Sequence, residues 1–203
     1  MSTIKNIDGP KDFIFRVLSG VAIGIVAGLV PNAILGEIFK YLIQYQPIFK
    51  TLLGVVQAIQ FTVPALIGAL IAMKFNLTPL AIAVVASASY VGSGAAQFKN
   101  GVWIIAGIGD LINTMITAAI AVLFILLIEE RVGSMALIIF PTIVGDLSAT
   151  IGIFTLPYVR LITTGIGNML NSFTELQPVL MSMLISMVFS FIIISPLSTV
   201  AIA

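Results

Sequence analysis

Long apolar runs, broken by short polar clusters, cover almost the whole chain. A helix that crosses a bilayer needs about 20 predominantly apolar residues. Residues 14–35, 51–73, 102–128, 135–156 and 178–203 each supply a run of that order. Residues 77–91 are apolar but shorter, about 22 Å as a helix, and suit either a short span or one limb of a re-entrant hairpin turning at Gly92-Ser93-Gly94. The pattern predicts an all-α fold, a polytopic helical membrane bundle of about five or six spans with one re-entrant or broken segment. Residues 37–50 alternate apolar and polar positions with tyrosines and lysines, and residues 158–177 carry a polar face. Both read as amphipathic helices lying in the headgroup region.

Several residues punctuate these runs. Gly20, Gly24 and Gly28 recur every fourth position of the first run, a spacing that lets a second helix approach closely. Pro64 falls inside the second run, where a missing N–H predicts a kink. Pro157 and Tyr158 are expected to end the fifth. The last run, broken at Ser195-Pro196-Leu197-Ser198-Thr199, reaches Ala203 without a polar flank. Spans normally finish in interfacial or charged residues. The expectation is therefore one transmembrane domain over 1–203 that forms the N-terminal part of a longer transporter.

Composition narrows the function. Of the 203 residues, 60% are hydrophobic and 8% charged, against about 25% charged in soluble domains. The lipid bilayer is the first partner, and no basic cluster suggests nucleic acid. The N-terminus mixes both charge signs and lacks a cleavage site, so it reads as a retained lead-in. Lys5, Lys11, Arg16, Lys74 and Arg131 fall on one side of a six-span topology and Lys40, Lys50, Lys99 and Arg160 on the other. That balance favours the N-terminus inside. Cysteine and histidine are absent, which excludes disulfides, a thiolate nucleophile, a Cys/His zinc site and a serine–histidine–aspartate triad. No cofactor, metal or catalytic residue is expected; the chain would hold and move a solute.

The polar groups within the runs converge on residues 87–117, where small residues and glycines precede Asp110 and Asn113. Residues 109–114 (GDLINT) are echoed at 145–150 (GDLSAT). If 102–128 and 135–156 are antiparallel neighbours, Asp110 and Asp146 lie about 14 and 17 Å from the same surface. Two carboxylates at one depth would favour a shared proton or a cation between them. Asn113, Thr114, Ser148 and Thr150 would add an amide and hydroxyls, a set suited to sugar hydroxyls, Na⁺ or H⁺. The bland alternative is that each aspartate caps a broken helix. Ser195, Ser198 and Thr199 form a second candidate binding site at a discontinuous helix.

The runs 99–128 (KNGVWIIAGIGDLINTMITAAIAVLFILLI), 155–181 (TLPYVRLITTGIGNMLNSFTELQPVLM) and 192–203 (IIISPLSTVAIA) resemble the membrane IIC component of phosphotransferase systems, in the branch that includes a clostridial toxin regulator (the perfringolysin O regulator). The resemblance implies a multi-pass permease of the bacterial plasma membrane. It implies a small polar solute, a sugar, and a separate phosphorylated IIB protein to receive it. A homodimer is also implied, for which Gly20, Gly24 and Gly28 offer one packing face. No histidine-containing substrate motif of the glucose type is present, so no residue roles carry over. Two other readings stand beside it: an H⁺- or Na⁺-coupled secondary transporter, or half of one, and a non-transporting membrane regulator.

Overall fold

The computed structural model of the chain describes residues 9–176, 179, 182 and 183. These fall in two compact units, Met1–Leu156 and Pro157–Ala203.

In the first unit the opening helix α1 runs Pro10–Leu42, with Pro31 inside it. Residues 37–42 continue this helix, where a separate interfacial segment over 37–50 was expected. Only a tight turn separates them from α2, Ile48–Gln60. The helix runs through both Pro31 and Gly36 without stopping. The next stretch, α3, is Val63–Lys74. It meets α2 at a 44° bend beside Pro64, which sits in the first turn of α3, where its missing N–H costs nothing. The short α4, Pro79–Gly92, opens with the Thr78 hydroxyl accepting from the Ala81 N–H.

One element is not helical. Ala96–Lys99 (β1) and Val102–Ile105 (β2) form an antiparallel ribbon, Phe98 opposite Trp103. Its turn, Asn100-Gly101, has φ of +52° and +81°, the left-handed pair that closes a two-residue hairpin with the right twist. The expected span 102–128 thus starts nine residues late: α5 is Leu111–Val132. Gly133, at φ +50°, turns the chain back. After it come α6 (Ala136–Ile139), a π-helical segment (Phe140–Gly145) and α7 (Asp146–Leu176). Pro141 explains the wide turn: it has no N–H to donate and its ring would strike the carbonyl of Leu137 in an α-helix. Pro157 was expected to end a span, yet α7 continues through it. In the second unit α7 exposes Tyr158, Leu161, Ile162 and Ile166.

In the first unit α1 and α3 run antiparallel. A Cβ on Gly20, Gly24 or Gly28 would lie within 2.6 Å of an atom of Ile71, Ile67 or Val63 respectively, so the glycine face of α1 is filled by α3 of the same chain. At one end Arg16 donates to the Lys74 carbonyl at 3.2 Å and bonds Asp12 at 2.9 Å. At the other, the Asn32 amide donates to Gln60 Oε1 at 2.8 Å. The core between these helices includes Ile67, Ile71, Val85, Ala121, Val122 and Ile125. Among the described residues, two helical stretches are long and apolar enough to cross a bilayer, Pro10–Leu42 and Leu111–Asn168, the second folded back on itself at Gly133. The bent pair α2–α3 makes a third if counted as one span. At 14 residues α4 reaches about 21 Å, short of the roughly 30 Å hydrocarbon core.

Candidate functional site

Two polar places emerge in the first unit, a buried knot at the base of the ribbon and an open groove beside the π-helical segment.

The knot joins the end of α4 to the start of α5 and to α7. Asp110 caps α5: its Oδ1 accepts from the Asn113 N–H at 2.8 Å, while its own N–H donates to the Ser93 carbonyl at 2.9 Å. Asn113 is fully buried. Its Nδ2 donates to the Gly92 carbonyl at 2.6 Å and the Gly152 carbonyl at 2.8 Å, and its Oδ1 accepts from Thr155 Oγ1 at 2.8 Å. Both amide hydrogens and the carbonyl are therefore engaged. Thr117, one turn on, bonds the Asn113 carbonyl at 2.8 Å and packs where Gly92 and Gly152 leave room: a Cβ on either would come within 2.6 Å of it. Thr114 is buried and bonds the Asp110 carbonyl at 2.7 Å.

The groove, of about 380 Å³, lies between α4 and the π-helical segment with the start of α7. Leu80, Ala83, Val84, Ala88, Val91, Pro141, Gly145 and Ala149 make its apolar wall; Ser87 and Asp146 are its polar groups. Asp146 is exposed into it, and its carboxylate has no hydrogen-bond or ion-pair partner among the described residues. Ser87 donates to the Ala83 carbonyl at 2.9 Å. Behind the wall Ser148 is fully buried, and its hydroxyl lacks a partner among the described residues. Thr150 is exposed and bonds the Asp146 carbonyl at 2.7 Å.

The two carboxylates are not brought together. Asn113 is level with Gly152, and Asp146 stands about 9 Å further along α7. The equal depths expected for them assumed a helix from residue 102; α5 begins at Leu111, so Asp110 marks the helix end itself. From Asp110 to Glu129 the chain rises about 28 Å, close to a full hydrocarbon thickness. Asp146 lies about 15 Å beyond Ala136, near mid-depth. Ser195, Ser198 and Thr199 are outside the described residues. Thr117, Thr155, Gly152 and Ser87 had not been singled out individually, and Gly92 only as a turning point. The contacts that join Thr117, Thr155, Gly92 and Gly152 to the knot cross tens of residues, and Ser87, bonded within its own helix, shares the groove with Asp146 of another, so no local spacing marks them.

The family described as "Phosphotransferase system, EIIC" matches residues 15–203. No curated protein and no solved structure matches the chain.

Proposed function

Because the chain belongs to the phosphotransferase-system EIIC family, a family of membrane proteins that work with a IIB component, we propose that it binds a small polar solute of sugar size in the α4–π groove and carries it across the bacterial plasma membrane to phosphorylated IIB. The observation that carries this reading is Asp146. An ionisable side chain at mid-depth of an apolar helical run is expensive to keep there and belongs in a cavity rather than against lipid. The groove has the size of a small-molecule site, about 300 Å³ or more, and a mainly apolar wall with few polar groups.

The chain's part is positional. Without histidine or cysteine it offers neither of the phosphoryl-carrying side chains of the IIA and IIB proteins; the partner would bring the phosphoryl group and this chain would fix the solute's orientation. The π-helical segment supports the assignment, since such bulges interrupt helices frequently at functional sites.

The test is the thermal stability of the detergent-purified protein against a panel of sugars, Na⁺ and pH values. A ligand specific for the folded state adds about 2.7 kcal/mol at a hundred times its dissociation constant. One sugar should stabilise the protein, and Ala83→Trp, which fills the groove, should abolish the effect. Stabilisation by a sugar that survives Ala83→Trp would remove the solute from this groove. A response to Na⁺ or pH alone would replace the reading with ion-coupled transport, and silence would favour a regulator.

A further inference from the structure

The chemistry of the groove says more about its occupant than its size does. Among the described residues, every polar group lining it can accept a hydrogen bond, and none is placed to donate. Asp146 is a carboxylate, acceptor-only when ionised. The Ser87 proton is committed to the Ala83 carbonyl, so this hydroxyl presents lone pairs. Pro141 has no N–H, and the remaining wall is aliphatic. Among the described residues, no lysine, arginine, asparagine, glutamine or tyrosine lines the groove. An anionic solute would therefore meet a like charge and nothing to bond it. A neutral polyol could donate to these acceptors, but nothing in it would balance the carboxylate's charge in a mainly apolar wall. A bare hard cation wants six or more oxygens, and the groove offers a carboxylate and one hydroxyl in a volume far larger than an ion.

We propose that the solute carries a positively charged nitrogen, an ammonium group on a sugar-sized body, and that Asp146 is its counter-charge with Ser87 as a second acceptor. An ammonium is all donor; it satisfies this wall and leaves nothing of its own unpaired. This rests on the groove being the solute site. It also gives release a direction: a phosphorylated product adds nearly two negative charges at neutral pH, which Asp146 repels.

The absence of native cysteine makes the test direct. In the full chain in lipid nanodiscs, Ser87→Cys is labelled with a cationic reagent (trimethylammonium-ethyl methanethiosulfonate) and with its anionic sulfonatoethyl counterpart, each rate normalised to a free thiol. A cleft of one charge sign raises the local concentration of opposite charges by about tenfold or more. The cationic reagent should therefore react at least about tenfold faster, and Asp146→Asn should bring the ratio back near one. Glucosamine should slow labelling where glucose at the same concentration does not. Ala83→Cys serves as the second position if Ser87→Cys does not fold. A ratio near one with Asp146 present, or equal protection by glucose, overturns the charged-solute inference while leaving the groove accessible and its role intact. Failure of either reagent to reach both positions in folded protein, with labelling restored on unfolding, overturns the groove as a solute site altogether.

Discussion

Replacing Asn113 tests the knot most sharply. In Asn113→Ala three interhelical hydrogen bonds are lost, those to Gly92, Gly152 and Thr155. Hydrogen bonds between helices in a bilayer average about 0.6 kcal/mol by double-mutant cycles, which sets a floor of about 2 kcal/mol. Acceptors left unmet in a fully buried site add cost, about 1–3 kcal/mol for a group with no substitute partner. The Thr155 proton released by the loss of Asn113 Oδ1 turns to the Gly152 carbonyl, 3.0 Å away, so the penalty falls mainly on Gly92. The expected loss is therefore about 3–5 kcal/mol. Asn113→Asp keeps the shape but turns two donors into an acceptor facing two carbonyls, and should cost at least as much as alanine. Trp103, the sole tryptophan, stands on the ribbon that the knot anchors, so its fluorescence reports unfolding. At about 2–4 °C per kcal/mol for a chain of this size, Asn113→Ala should melt about 6–20 °C lower. A cycle with Thr155→Val should show a coupling near 0.6 kcal/mol. If both replacements melt within a degree of the parent, or aspartate is tolerated better than alanine, the amide is not doing what its geometry implies.

Other outcomes follow from the same coordinates. Gly20→Ala places a methyl 2.6 Å from the Ile71 Cα and should destabilise by about 1–3 kcal/mol through overpacking. Gly54→Ala, with nothing within 4 Å, should stabilise by up to about 1 kcal/mol; chemical unfolding in bicelles separates the two. Asp110→Ala should cost about 1 kcal/mol as a lost helix cap, and Asp110→Asn almost nothing, since asparagine caps as well. If transport falls in Asp110→Asn while the melting point holds, the charge has a role beyond capping. Gly101→Val forces a branched residue to φ +81° and should loosen the ribbon, read as faster amide exchange at residues 96–105.

The sequence disclosed the coarse path of the chain because apolar periodicity and proline are local signals. The bend at Pro64, the turn after Gly92 and, from Leu111 onward, the antiparallel pairing of the 102–128 run with 135–156 are recognisable in the structure. The ribbon was masked by its own composition. Val102-Trp103-Ile104-Ile105 joins an apolar run without a break, and a run of that kind does not distinguish strand from helix. The Asn100-Gly101 pair was the available signal. The knot was out of reach for a different reason: Asn113 meets carbonyls 21 positions before and 39 after it. Only the packed helices bring these together.

The π-helical segment houses one residue more than an α-helix would over the same axial length. Were it to tighten into α geometry, everything beyond it would advance about 1.5 Å and rotate about 100°. Asp146, the first residue past the segment, would swing off the groove and carry its negative charge with it. The proline that widens the coil at residue 141 thus also sets the compass bearing of the carboxylate five positions later.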